Sequence, residues 1–373
     1  MSFFFKFLFS VFFIAYLGSL SGCKNKENTE HGETKKTVSS KEDAAGVSSI
    51  GVFIPGVMAG SAIYEMLANG TIKAAEDFGA QNPGSVPSVT VIEGGFNQAE
   101  WESQVTTLAA SDSYDLIVSS NPSLPDIVSS VSAKFPKQKF LLLDAELDGN
   151  PNVYTLRYNQ REQAYMAGYI AALITLESAG SGSTANRASD TAHQASVKRL
   201  GLVAAQEYPV MNNIILPGFV EGARSVDPDF SVDFRVVGNW FDAAKAAELA
   251  LEMIRSGTKV LLPVAGGAGQ GVIQAASEEG AKIVWFDTNG YALRPGTVIG
   301  SAVLHQDRAA YEKVMLFLNG TLPFGKAEVA GITGGFVDFI EDDPLYITSV
   351  SSEVREKQAA LIASLRSGNL RLD

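Results

Sequence analysis

Polar and aromatic side chains stand at the points where the apolar runs of this 373-residue chain end. In an open parallel sheet, ligands bind beyond the carboxyl ends of the strands, so residues at these points are the candidates for chemistry. They include Asn121 after "YDLIVSS", Trp240 after "SVDFRVVG", Gln270 just after "KVLLPVAGG", and Asp287 at the end of "KIVWFD". Amides, an aromatic ring and a carboxylate suit a flat, neutral molecule that carries hydroxyl groups.

Several of these candidates have a structural alternative. Trp240 precedes "FDAAK", and an aromatic residue ahead of a helix often packs as a hydrophobic staple. Asp287 would also serve as the N-cap of a helix. Tyr64, a further aromatic candidate within the first predicted helix, would serve equally well in the core. The residues alone leave these alternatives open.

The elements that must position these residues alternate along the chain. Short apolar runs are followed by helical segments in two series, the first beginning with "SIGVFIPGV" and the second with "KRLGLVAAQ". This alternation is typical of parallel sheets joined by βαβ crossovers, and the length favours two lobes. We therefore predict an α/β fold with a ligand cleft between an N-terminal lobe (49–156 plus 305–326) and a C-terminal lobe (157–304 plus 327–373).

The N-terminus predicts export and attachment to a membrane. A single charge, Lys6, precedes an apolar run of about the length of a signal-peptide core, which ends in small residues. The following Leu20-Ser21-Gly22-Cys23 resembles the bacterial lipobox, in which the thiol is joined to diacylglycerol. We predict a signal peptide over 1–22, lipidation of Cys23, and a disordered tether over 23–48, which places the protein on a membrane of the cell envelope. A chance cysteine after an N-terminal anchor helix is the alternative.

Composition argues against several classes of function. The net charge of −12 disfavours nucleic acid as a partner, because the excess of acidic residues leaves no net positive charge to neutralise phosphates. Three His and one Cys leave little for a metal site. A nucleotide-using enzyme stays an alternative, because "LLPVAGGAGQG" enters a glycine-rich turn ahead of Asp287, although its glycines do not follow G-x-G-x-x-G. A sugar-operon regulator would share the two-lobed plan but would need a DNA-binding N-terminus.

Long stretches of the chain resemble a known family. "VAGGAGQGV", "FDAAKAAELA", "YPVMNNIILPGFVEGARSVDPDF" and "REQAYMAGYIAAL" resemble the basic membrane protein lipoproteins, which include purine nucleoside receptors. "VFIPGVMAGSAIYEML", "LIVSSNPSLP" and "WFDTNGYALRPG" are most similar to the riboflavin-binding members in spirochaete ABC importers. The resemblance implies a type I periplasmic-binding fold, a monomer, an ABC permease as partner, and neither catalysis nor a resident cofactor.

The resemblance also implies roles for single residues. In the nucleoside receptors of the family, two aromatic side chains sandwich the base. Trp240 matches the second of these positions, and Tyr64 lies at or next to the first. The aspartate that binds the ribose matches Asp287.

The chain departs from the nucleoside pattern at two places. An acidic D-x-G-x-x-D-D-x-S-F-N region becomes "PGVMAGSAIYE", and Leu304 replaces the lysine expected three residues before Asp307. Both departures favour an isoalloxazine ring over a purine. Ring edges and ribityl hydroxyls would then be bound by Asn121, Asn159, Gln270 and Asp287. We expect a lipoprotein that delivers riboflavin to an ABC importer; the alternatives are a nucleoside-binding lipoprotein, a flavin- or nucleotide-using surface enzyme and a structural lipoprotein.

Overall fold

The computed structural model describes residues 48–180 and 198–372. The predicted signal peptide, Cys23 and all but the last residue of the predicted tether lie outside the described residues. Within the described part of the chain, no helix combines the length and apolar character needed to cross a membrane.

Six strands form the first sheet in the order β11-β5-β4-β3-β1-β2. Every neighbouring pair in this sheet is parallel. The central strands β1 and β3 are buried along most of their length, as expected where helices cover both faces of a sheet. The strands are β1 (Ser49–Ile54), β2 (Ser88–Glu93), β3 (Leu116–Ser120), β4 (Lys139–Leu143), β5 (Val153–Tyr158) and β11 (Ala327–Ala330).

The second sheet repeats this order as β12-β10-β9-β8-β6-β7. Its pairs are parallel except for β12, which runs antiparallel to β10. The two-lobed α/β fold is thereby confirmed, with each lobe built on one sheet. The strands are β6 (Arg199–Ala204), β7 (Ser231–Val236), β8 (Val260–Val264), β9 (Lys282–Asp287), β10 (Val298–Leu304) and β12 (Val337–Phe339).

Helices separate the strands and bury apolar side chains against the sheets. One continuous buried cluster draws residues from both sheets, and a smaller one lies on the other face of the first sheet. The helices are α1 (Ala62–Gln81), α2 (Trp101–Ala110), α3 (Leu124–Lys134), α4 (Gln160–Gly180), α5 (Leu216–Val226), α6 (Ala243–Arg255), α7 (Gly269–Glu279), α8 (Gln306–Leu318), α9 (Pro344–Ser349) and α10 (Ser352–Arg366).

The chain crosses twice from one lobe to the other, and each crossing leads into a helix that packs on the lobe it enters. After β5 of the first sheet, α4 packs on α5 of the second lobe, and after β10 of the second sheet, α8 packs on α1 of the first lobe. A glycine lets the two helices of each pair pack closely. A Cβ on Gly168 of α4 would lie 2.1 Å from the Phe219 carbonyl oxygen, and one on Gly70 of α1 would lie 2.2 Å from that of Asp307.

A third passage follows β11 and corrects the predicted division of the chain. The sequence places 327–373 in the C-terminal lobe, but β11 pairs with β5 at the edge of the first sheet. The chain enters the second lobe only after Ala330. The pattern "AEVAGITGG" is too short and too rich in glycine to mark a strand by periodicity, so its pairing depends on the partner strand.

Candidate functional site

Residues beyond the strand ends of both lobes line a small cavity in the cleft. The first lobe contributes side chains from the start of α2 and from the loop after β3, and the second lobe contributes the loops after β6 and β7. Aromatic and neutral polar residues make up its walls: Gln98, Trp101, Asn121, Pro122, Ser123, Gln206, Tyr208 and Trp240. The lining is therefore neutral and partly aromatic, and it includes the predicted residues Asn121 and Trp240.

Trp240 forms part of the aromatic wall on the second lobe. Its side chain is 39% exposed, and its ring centroid lies 6.1 Å from that of Tyr208. The glycine turn after β8 passes close beside it: Gly266 has a φ of +54°, and a Cβ there would lie 3.2 Å from Trp240 Cε3. The Trp240 carbonyl also accepts a hydrogen bond from Ala268 N at 3.0 Å. The glycine-rich turn that suggested a nucleotide fingerprint thus supports the tryptophan.

Tyr64 and Asn121 come together on the first lobe. The Tyr64 hydroxyl donates to the Pro55 carbonyl at 3.0 Å and accepts from Asn121 Nδ2 at 3.2 Å. Burial raises the pKa of Tyr64 to about 12, so the hydroxyl stays protonated. Asn121 Oδ1 in turn accepts from Ser123 N at 2.9 Å. This chain of bonds holds the polar wall of the cleft in one geometry.

Asp287 ends β9 in a left-handed backbone conformation, with a φ of 74°. Its carboxylate accepts a hydrogen bond from Gln163 Nε2 at 3.0 Å rather than capping a helix. Burial raises its pKa to about 6, and the Gln163 hydrogen bond opposes that shift. Gln163 also donates to the Ala302 carbonyl at 3.0 Å, while its buried Oε1 has no partner among the described residues.

Asp144 is the counterpart of Asp287 in the first lobe and was missing from the predicted set. It follows β4, which occupies the same place in the first sheet as β9 does in the second, and it too has a positive φ, 50°. Burial and then the charge of Asp287 raise its pKa to about 7, and Arg157 lowers it. The charge of Asp287 thus adds to the effect of burial on the pKa of Asp144. "FLLLD" and "KIVWFD" end alike, and that shared ending is the signal in the sequence.

Buried amides cross-link the passages between the lobes. Gln306, at the start of α8, is fully buried, and its Oε1 accepts from Ser120 Oγ at 3.1 Å and from the Tyr158 hydroxyl at 3.3 Å. Its Nε2 donates to the Ile63 carbonyl at 3.0 Å. One side chain thus joins β3, β5 and α1 directly below the cleft.

Among the predicted site residues, the described cavity is not lined by Tyr64, Asn159, Gln270 or Asp287. Asn159 is engaged in structure: its Oδ1 accepts from Glu162 N at 3.4 Å in the first turn of α4, and its Nδ2 donates to the Leu372 carbonyl at 3.2 Å. Gln270 is exposed in the first turn of α7 and does not line the cavity. Across residues 48–180 and 198–372, no group of three His, Cys, Asp or Glu side chains could hold a metal ion.

Two parallel-sheet lobes whose strand ends meet around a cleft define the fold of periplasmic solute-binding proteins. The model of the Bmp family, described as ABC transporter substrate-binding protein PnrA-like, matches residues 47–370. The chain belongs to this family, as the resemblance predicted, and the family is one of substrate-binding proteins rather than enzymes.

Individual relatives agree with this assignment. The nucleoside-binding protein BmpA of Lactococcus lactis is 29% identical over 182 residues, which are 48% of this chain and 46% of BmpA. Basic membrane protein D of Borreliella burgdorferi is 26% identical over 224 residues, 59% of each chain. The chain thus spans about half the length of the curated relatives it matches. A crystal structure of an ABC transporter solute-binding protein from Aeropyrum pernix has the same fold, with a TM-score of 0.73, 21% identity, and coverage of 88% of this chain and 93% of that one.

Proposed function

We propose that this protein captures riboflavin between its lobes and delivers it to the permease of an ABC importer. The observation that carries the proposal is the cavity wall, in which Trp240 and Tyr208 of one lobe face the Tyr64-bound amide of Asn121 on the other. A flat ring stacks on such aromatic faces, and amides bind its polar edge.

The charges of the cleft favour a neutral ligand with hydroxyl groups. No lysine or arginine is among the residues that line the described cavity, so a phosphate would find no cation there. The carboxyl groups of Asp144 and Asp287 would instead accept hydrogen bonds from hydroxyls of the ribityl chain. The charges of the lining therefore suit riboflavin better than its phosphorylated forms.

A purine nucleoside is the second candidate. The printed name of the Lactococcus lactis relative is a nucleoside-binding protein, and a nucleoside also combines a flat ring with hydroxyl groups. We favour riboflavin because the acidic stretch of the nucleoside pattern is replaced by "PGVMAGSAIYE" and because Leu304, buried at the end of β10, replaces the lysine of that pattern.

Titration of riboflavin fluorescence tests the proposal. Protein that lacks residues 1–47 retains every described strand and helix, and it should quench flavin emission with one ligand per chain. Trp240→Ala should abolish most of the quenching, whereas Ile347→Ala, an exposed apolar truncation on α9, should not alter it. Unchanged flavin emission with tight binding of guanosine or adenosine would replace riboflavin by a nucleoside. Binding of neither ligand would reject both.

We also propose that Cys23 carries the lipid that holds the protein at a membrane. The full chain should partition with membranes and show the mass of a diacylated or triacylated N-terminal cysteine. Cys23→Ser should lose that mass and keep an uncleaved leader. An unmodified cysteine in the mature protein would reject the anchor while leaving the ligand proposal standing.

A further inference from the structure

Two phenylalanine side chains are the most exposed large apolar groups among the described residues. Phe96 is 70% exposed and Phe241 is 60% exposed, yet the two rings are in contact. Their centroids lie 5.5 Å apart with the planes inclined at 56°. Tilted pairs at this separation attract each other beyond the area that they bury.

The two rings occupy equivalent places in the two lobes. Phe96 follows β2 and Phe241 follows β7, and these are the corresponding edge strands of the two sheets. Each ring also precedes a capping side chain. Asn97 accepts from Ala99 N at 3.3 Å, and Asp242 accepts from Lys245 N at 2.9 Å. Capped turns thus hold the backbone beside both rings, so the contact joins two positioned loops.

The contact lies at the rim of the ligand cavity. Trp240 and Gln98 line the cavity. Phe241 is adjacent to Trp240 in the chain, and Phe96 is two residues from Gln98. Since one ring belongs to each lobe, separation of the lobes breaks the contact and exposes the parts of the two rings that it covers. The interaction therefore favours only the closed arrangement.

We propose that Phe96 and Phe241 form an aromatic clasp that closes the cleft over the bound ring and slows its release. The clasp rests on the proposed function, because it acts on the ligand held beside Trp240. A contact present only in the closed state lowers the rate of opening, so the clasp sets the residence time more than the rate of capture. It also contributes to affinity without touching the ligand.

Stopped-flow fluorescence of the preformed riboflavin complex tests the clasp. Phe96→Ala and Phe241→Ala should each accelerate dissociation about three- to tenfold, and the double variant should be no faster than the faster single variant, because one contact is lost in all three. Phe96→Tyr should retain slow release. Ile347→Ala is the matched control and should dissociate at the wild-type rate.

A second measurement separates failure of the clasp from failure of the ligand proposal. Small-angle scattering of the ligand-free protein should show a larger radius of gyration for the double alanine variant than for the wild type, at equal thermal stability. If no flavin or nucleoside binds but this expansion occurs, the proposed function fails and the clasp stands. The clasp would be overturned by unchanged dissociation in the single variants or by strictly additive effects in the double variant. If no ligand binds, the absence of expansion would overturn it.

Discussion

The two lobes share one strand order but present different chemistry at the cleft. On the first lobe, Tyr64 is tied by its hydroxyl to Pro55 and Asn121, so that wall is polar and fixed by hydrogen bonds. On the second lobe, Trp240 leaves 39% of its side chain exposed beside Tyr208, so that wall is an open aromatic surface. One scaffold used twice thus supplies a hydrogen-bonding side and a stacking side.

Several structural features occur at equivalent positions in both lobes. Asp144 and Asp287 end equivalent strands with the same left-handed backbone, and Phe96 and Phe241 follow equivalent edge strands. The exchanged helices α8 and α4 also meet their partners in the same way, at a glycine. These equivalences make the comparison testable, because matched variants can be placed in each lobe.

The largest expected effect concerns the exchanged helices. Gly168→Ala and Gly70→Ala each place a methyl group within about 2.2 Å of a backbone carbonyl oxygen, and each should lower the free energy of unfolding by about 3 kcal/mol. Chemical denaturation monitored by circular dichroism measures both losses. A variant as stable as the wild type would show that its helix pair can move apart, and the lobes would then differ in rigidity.

The two walls of the cleft should respond unequally to truncation. Trp240→Ala removes the stacking surface and should weaken riboflavin binding about 10- to 100-fold, the range expected for loss of one aromatic stack. Tyr64→Phe keeps the ring and loses only the bonds to Pro55 and Asn121, so it should cost about threefold to tenfold. Fluorescence titration of both variants shows which one loses more affinity for riboflavin. A greater loss in Tyr64→Phe would reverse the assignment of the two walls.

The paired carboxyl groups should make stability depend on pH. Burial raises the pKa of Asp144 to about 7 and that of Asp287 to about 6, from an ordinary 3.8. An acid whose pKa is higher in the folded state stabilises that state fully below its unfolded pKa and loses this contribution as the pH rises through the folded value. The ligand-free protein should therefore lose stability between about pH 4 and about pH 7.

Single substitutions distinguish the two carboxyl groups. At about pH 8, Asp144→Asn should raise the free energy of unfolding by about 1–3 kcal/mol, because the wild-type carboxylate must there be held in its charged form. Asp287→Asn should gain less, since the hydrogen bond from Gln163 already stabilises its charge. Neither variant should differ much from the wild type at about pH 4. Equal stability of all three proteins across this range would show that folding does not raise the pKa of either carboxyl group.

The smallest effect separates two asparagines that the sequence placed in one site. Asn159→Ala should lower the free energy of unfolding by about 1 kcal/mol, as loss of a helix cap does, and leave riboflavin affinity unchanged. Asn121→Ala should weaken binding about threefold, because it removes an amide from the cavity. Paired denaturation and titration measure both properties. Weaker binding by Asn159→Ala would return that residue to the site.

The alternation of apolar runs and helical segments predicted the fold, because periodicity is a local property that reflects which faces each element buries. The strand ends likewise indicated Trp240 and Asn121, which line the described cavity, and Asp287, which does not. Gln270 was proposed on the same grounds and Asn159 by its position alone. Asn159 caps the start of a helix and binds a distant carbonyl, and Gln270 lies outside the cavity. A position after a strand does not specify which partner a side chain meets.

The amino-acid sequence by itself determined the class of fold, the two series of βαβ units, the family and the residues that end each strand. The tertiary structure was needed to show that β11 joins the first sheet and that Phe96 touches Phe241. The reason is physical. Secondary structure depends on side chains a few residues apart, whereas each of these contacts depends on the folded paths of segments from distant parts of the chain.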